Sequence, residues 1–249
     1  MISLKTRPYG GESDLGAIAE LLNACEVVDR LEQWTSRSDL QLEFNEPSVD
    51  RAKDILLWES NEKLIGFSQI GVPPKGEEND GFLWFRVDPE FRGDGIEEQM
   101  LAWGEQRMRE VANERGVRVK LRSWVRDKQY DRIALLENCG FTSDRYFLIM
   151  ERSLTESIPD PKLPEGFILR HSKGEPDAQA WVEMRNQSCI DHWNYTSKNC
   201  EGAIAYNRVL RTFKRRLRLR SSKSQSLTST AIKMEMKTPS KSAKNLGRK

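Results

Sequence analysis

The stretch Val87-Asp88-Pro89-Glu90-Phe91-Arg92-Gly93-Asp94-Gly95-Ile96 carries the clearest chemical content in this sequence. An apolar run from Phe82 to Val87 stops at a proline turn, and two glycines one residue apart lead into a long segment of helical apolar spacing. Glycine tolerates positive φ and lets a backbone come close to a ligand. The first turn of a helix presents N–H groups that have no intrahelical acceptor, at the positive end of the helix dipole. Strand, glycine turn and helix start together make a pocket for a pyrophosphate. No Lys-Ser/Thr pair follows, so the turn is not a P-loop, and the glycine spacing falls short of the full dinucleotide fingerprint. Two acids, Glu78 and Asp80, precede the apolar strand and are candidate general bases, though the same residues also suit a solvated loop. Metal chemistry is not expected: only His171 and His192 are present, and Cys25, Cys139, Cys189 and Cys200 form no CxxC pair. Cys139 at a helix end reads as packing, and His192 as structural.

The elements that must hold this turn alternate between strand and helix. Ile2–Tyr9 reads as an opening strand. Leu15, Ile18, Ala19, Leu21, Leu22 and Cys25 then follow with helical spacing after a Ser13/Asp14 cap. Asp54–Glu59 and Leu64–Ile70 flank the turn Ser60-Asn61-Glu62-Lys63 as a hairpin. Phe82–Val87 is apolar enough to be central. Ile96–Glu114 is a long helix stopped by Gly116. Val117–Val125 alternates as a strand, Ile133–Asn138 is helical up to Cys139-Gly140-Phe141, and Arg145–Glu151 returns as a strand. This order predicts an α+β fold around one mixed sheet.

The combination Val-x-Pro-x-x-Arg-Gly-x-Gly, with its strand before and helix after, resembles the GNAT superfamily of acetyl-CoA-dependent N-acetyltransferases. The resemblance covers residues 1–155 and implies a mixed, mostly antiparallel sheet with helices on both faces, splayed open beyond Val87. It implies that Phe85, Arg86 and Val87 run beside the pantetheine arm, with the Phe85 and Val87 backbones bonding to it. It also implies that the amides of Arg92, Gly93, Asp94, Gly95, Ile96 and Glu97 hold the pyrophosphate. The implied reaction is direct acetyl transfer from acetyl-CoA, as cosubstrate, to a primary amine of a small molecule or protein. Two positions depart from the family pattern. Glu97 replaces a small residue, placing a carboxylate near the phosphates unless its side chain, like that of Asp94, points to solvent. Leu136, in Arg132-Ile133-Ala134-Leu135-Leu136-Glu137-Asn138-Cys139-Gly140-Phe141, replaces a tyrosine that often protonates the departing thiolate. The alternative reading is therefore a catalytically silent acyl-CoA-binding or interaction module. Trp84, Arg86, Trp124 and Arg126 are candidates for an acceptor pocket, with core packing the competing role for the tryptophans and solvation for the arginines.

Beyond the first domain lies a proline-rich linker, residues 156–166. Phe167-Ile168-Leu169-Arg170 and the helical run Pro176–Ser188 repeat the opening strand–helix theme, so residues 167–196 look like a partial second repeat, as in tandem-domain relatives of the mycothiol synthase type. Residues 197–249 carry 15 Lys and Arg against 2 Asp and Glu, while residues 1–196 carry 25 against 36. The overall net charge of +2 hides this asymmetry. The basic segment reads as a low-order tail without a sheet-forming pattern. Phe213 is its one phenylalanine for base stacking, so no specific nucleic-acid recognition is expected. No apolar run approaches the ~20 residues of a membrane-spanning helix, and the first residues lack the long apolar core of a signal peptide. The expected location is the cytoplasm.

Overall fold

The structure is a computed structural model that describes residues 4–73, 75, 79–150, 152, 153, 155, 157, 160, 162–171, 173 and 175–192, and the backbone of 230–237. It divides into two units: Met1–Ile149 together with a C-terminal segment beginning at Ser229, and Met150–Thr228. In the first unit, β1 (Leu4–Pro8), β2 (Ile55–Ser60), β3 (Lys63–Gly71), β4 (Asp80–Val87), β5 (Lys120–Arg126), β6 (Thr142–Leu148) and β7 (Thr230–Lys237) form one sheet of order β1-β2-β3-β4-β5-β7-β6. Every neighbouring pair is antiparallel except β4–β5. Helices α1 (Asp14–Asp29) and α2 (Arg37–Phe44) pack against one face. Helices α3 (Ile96–Arg115) and α4 (Tyr130–Asn138) pack against the other. The α+β expectation thus holds.

The strict alternation in β4 explains its central place. Gly81, Leu83, Phe85 and Val87 are buried while the residues between them are only half-buried. Leu83, Phe85 and Val87 join Ile96, Met100, Leu101 and Met108 of α3 in one core cluster. A Cβ at Gly104 would lie 2.8 Å from Leu83, so glycine there lets α3 settle close onto the strand. The hairpin turn has φ of 48° at Asn61 and 64° at Glu62, the double left-handed conformation that matches the right-handed strand twist.

One buried ion pair ties the two helix-bearing halves together. Arg107 of α3 donates from Nε to Asp54 Oδ1 at 2.8 Å, and the Asp54 side chain is 3% exposed. Asp54 Oδ2 also accepts from the Asp50 amide. Removing the cation strands a buried carboxylate, a defect that costs about 3–5 kcal/mol. Arg107→Met is expected to lower the urea midpoint by that free energy with an unchanged slope.

Several local expectations are corrected. Ser13 makes no side-chain cap; instead Asp14 folds back to accept from the Gly10 amide and from Arg7, because an ion pair satisfies a buried carboxylate better than helix amides alone. Helix α2 is an element beyond those expected from the apolar spacing, and Ser36 and Asp39 form a reciprocal capping box at its start. Phe167-Ile168-Leu169-Arg170 is not a strand and its apolar side chains are exposed; no strand is paired with it among the described residues. In its unit, α5 spans Ala178–Ser188 as expected. The strands β4 and β5 part earlier than Val87: their ladder ends at Phe82↔Arg122. Finally, the low-order tail assigned to 197–249 contains β7, which lies between β5 and β6. Its sequence TAIKMEMK places Ile232, Met234 and Met236 in alternation with charged residues, a period-2 pattern masked by the surrounding polar composition. The rest of that tail lies outside the described residues.

Candidate active site

After the last β4–β5 rung the two strands diverge, and the Ser123 hydroxyl bridges the point of separation by donating to the Leu83 carbonyl at 3.0 Å. Above this apex opens a cavity of about 540 Å³. Its walls come from β4 (Phe85, Arg86, Val87), the glycine turn and α3 (Arg92, Gly93, Glu97, Glu98), the end of α1 (Asp29) and the start of α4 (Tyr130, Arg132, Leu135). Six of the nine residues expected to meet the cosubstrate, Glu97 among them, thus line one space; Asp94, Gly95 and Ile96 are not among its lining residues, and Asp94 is exposed.

The turn is held rigidly. Asp88 caps a 3-10 turn, Pro89–Phe91, by accepting from the Glu90 amide, and its carboxylate pairs with Lys63 at 2.9 Å. Burial alone would push the Asp88 carboxyl up, but Lys63 and the Glu90 amide outweigh it and hold it below the usual range. Gly93 and Gly95 have φ of 84° and 77°, left-handed values that favour glycine. A Cβ at either would meet nothing within 4 Å. The space beside both glycines is therefore open.

The free edge of β4 is occupied by the chain's own side chains. Val87 O accepts from Arg92 Nε at 3.1 Å and from the Cys25 thiol at 3.2 Å. Phe85 O accepts from Arg86 Nη1 at 3.0 Å and from Arg132 Nη2 at 3.4 Å. Arg92 also grips Asp29 through two bonds of 2.6 and 2.9 Å; burial works against its charge, and Asp29 more than compensates, so its pKa is raised. Burial lowers the pKa of Arg86. The Arg132 guanidinium lies 3.9 Å above the Phe85 ring, and burial, reinforced by Arg86 and Arg92, pulls its pKa down to about 9. These carbonyls are the ones the resemblance assigns to a pantetheine arm.

Other sequence-based candidates fall elsewhere. Asp80 pairs with the buried Arg122 at 2.6 Å, below the apex and about five residues, or ~16 Å of strand, from Phe85. Glu78 lies outside the described residues. Glu97 does not point to solvent: its Oε2 is buried in the cavity wall without a hydrogen-bond partner. Leu136 is fully buried in the core, and its neighbour Leu135 faces the cavity instead. Trp84 packs edge-on against Phe67 at 5.4 Å, and Trp124 stacks on Phe82. Asp29, Lys128, Tyr130 and Arg132 were not read as site residues from sequence. They come from α1, α4 and the loop before it, and no local motif marks them. Among the described residues no group of three or more His, Cys, Asp or Glu could hold a metal, and no helix is long and apolar enough to cross a membrane.

Comparison with known proteins agrees with this geometry. The family model described as acetyltransferase (GNAT) family matches residues 15–141. A mycothiol acetyltransferase of Thermobispora bispora is 30% identical over 181 residues, which is 72% of this chain and 55% of that protein. One from Streptosporangium roseum is 28% identical over 182 residues, 73% of this chain and 50% of the relative. The chain thus spans about half the length of the curated relatives it matches. A GCN5-related N-acetyltransferase from Sphaerobacter thermophilus, 16% identical, superposes with a TM-score of 0.62 over 94% of this chain and 95% of the other, which shows a shared fold. With the family model matched over more than half its length, through the splayed strand pair and the glycine turn, this chain belongs to the GNAT family of acetyltransferases.

Proposed function

We propose that the chain transfers an acetyl group from acetyl-CoA to a primary amine of a small molecule or protein, in one direct step. The observation that carries this reading is the cavity between β4 and β5, which joins an open glycine cradle at one end to a free strand edge at the other. The α3 amides would take the pyrophosphate, and the Phe85 and Val87 backbones the pantetheine arm once Arg86, Arg132, Arg92 and Cys25 release their carbonyls. An N–H on the free edge of β4 would polarise the thioester carbonyl. The incoming amine must lose a proton; with Asp80 engaged by Arg122, Glu78 or a water chain is the proposed base. That the relatives are called mycothiol acetyltransferases supports a small-molecule acceptor over a protein.

A second reading, a silent acyl-CoA-binding module, is favoured by two observations. Leu136 offers no proton to the thiolate, and arginine side chains already bond the carbonyls of β4. Isothermal titration with acetyl-CoA, followed by CoA release against a panel of amines, decides between the two. Binding with release supports the transferase, binding without release the silent module, and no binding overturns both. In the same titration Glu97→Gln is expected to tighten CoA binding several-fold. Its orphaned carboxylate sits beside the cradle, and repulsion of a phosphate at a few ångströms in a partly screened site is worth on the order of 1 kcal/mol.

A further inference from the structure

Among the described residues three arginines line the cavity, and they differ in how their donors are used. Arg92 commits its Nε to the Val87 carbonyl and both Nη atoms to Asp29. Arg86 donates from Nη1 to the Phe85 carbonyl and from Nη2 to Gln33 Oε1 at 2.8 Å. Arg132 keeps a buried Nε without an acceptor, and its Nη2 reaches the Phe85 carbonyl only at 3.4 Å. Burial works against its charge, as do Arg86 and Arg92, while Asp29 and Glu97 support it from elsewhere in the cavity wall. Neither acid hydrogen-bonds to it: Asp29 is engaged by Arg92 through both oxygens, and Glu97 Oε2 is buried with no partner.

The charged groups that act on Arg132 locate it. Arg92 belongs to the glycine turn, Glu97 to the first turn of α3, and Asp29 to the end of α1 where Arg92 is anchored. Helix α4 thus brings a cation into the same space as Gly93 and the start of α3. A helix N-terminus carries only about half an elementary charge. That is too little for a doubly ionised pyrophosphate, and the Glu97 carboxylate adds to the shortfall. A guanidinium with donors to spare makes it up. The Phe85 ring covers one face of Arg132 at 3.9 Å, which leaves its Nε–Nη edge for bonding. That edge presents two parallel donors matched to phosphate oxygens.

We propose that Arg132 is a side-chain ligand of the donor's pyrophosphate, supplementing the α3 amides. This rests on the acetyl-CoA reading above. The long bond to the Phe85 carbonyl is the one the guanidinium gives up when it takes the phosphate, and that carbonyl then has one donor fewer as the pantetheine arm arrives. Asp29 and Glu97 balance the cation at a distance while the cavity is empty; the pyrophosphate replaces that balance with direct, charge-assisted hydrogen bonds.

The test is titration of the full chain, Arg132→Met and Arg132→Lys with CoA and with dephospho-CoA, which keeps the pyrophosphate and lacks the 3′-phosphate, at several ionic strengths. Arg132→Met is expected to weaken both ligands by the same factor, about tenfold or more, the scale of hydrogen bonds to a charged group. Arg132→Lys is expected to keep part of the affinity. Added salt should weaken binding to the parent chain more steeply than binding to Arg132→Met, because one phosphate contact is missing in the variant. Unchanged affinity in Arg132→Met would overturn the proposal and leave the acetyl-CoA reading intact. A loss confined to CoA would also overturn it, since Arg132 would then serve the 3′-phosphate. So would a loss with the parent's salt dependence, which would mean that Arg132 acts through packing. If the parent chain binds neither ligand, the acetyl-CoA reading itself fails and the proposal with it.

Discussion

Gly95→Val is expected to abolish CoA binding and leave the fold standing. Gly95 is the N-cap of α3 with φ 77° and ψ 12°, a conformation that a β-branched residue adopts only at a cost of about 1–3 kcal/mol. Nothing in the protein would clash with the new side chain, because a Cβ there meets no atom within 4 Å. The damage is thus confined to the local backbone and to the space in front of the α3 amides. A phosphate excluded from that space loses several charge-assisted bonds at once, so affinity should fall by about 100-fold or more, equivalent to roughly 2.7 kcal/mol. Gly95→Ala is expected to lie between the two. Circular dichroism and a urea melt check the fold; calorimetric titration checks the site. If Gly95→Val binds CoA like the parent, the pyrophosphate is held elsewhere.

Removal of β7 is the second large effect. Its backbone pairs with Lys120–Arg126 of β5 on one side and with residues of β6 from Thr142 to Leu148 on the other. In the sheet order β6 has no neighbour except β7, and six of its seven residues are exposed. Few apolar contacts of its own therefore hold β6 in place; the ladder does. A chain ending at Thr155 would leave β6 without a partner and expose the unpaired edge of β5, a free edge of the kind that promotes aggregation. Such a chain is expected to melt well below the full-length protein and with less cooperativity, and a peptide spanning 229–238 added in trans should restore part of the loss. Coincident melting curves for the two chains would show that β7 contributes nothing to the sheet.

Those two experiments probe opposite kinds of information. The glycine turn is local. Asp88 and Pro89 set the turn, Gly93 and Gly95 supply positive φ, and Gly116 ends α3 at φ 69°, so each feature follows from the residue at that position and its near neighbours. Alternation of buried and half-buried residues in β4 is equally local, and it marks the strand as central without reference to anything else. That much suffices to expect an α+β sheet with a phosphate cradle and to recognise the GNAT pattern.

What the sequence left open are features made by residues far apart in the chain. Asp29, Arg92 and Arg132 meet only because α1, the glycine turn and α4 close around one gap, and a lone Arg on a short helix reads like any solvated residue until Phe85 is beneath it. Whether Glu97 faces solvent could not be read from the first turn of a helix; in the structure it lines the same cavity as residues of α4, and its Oε2 is buried. The strands parted at Phe82 instead of Val87 because the register of β5 against β4, not the length of β4, sets the rung at which their ladder ends. Likewise β7 is short, charged on alternate positions and set in a basic tail, so its pairing is decided by two strands whose hydrogen-bonding edges are invisible in a linear reading. The local conformations and the family were determined by the sequence alone; the charge inside the cavity and the completion of the sheet were decided by tertiary structure, because both depend on which distant groups share the same desolvated space.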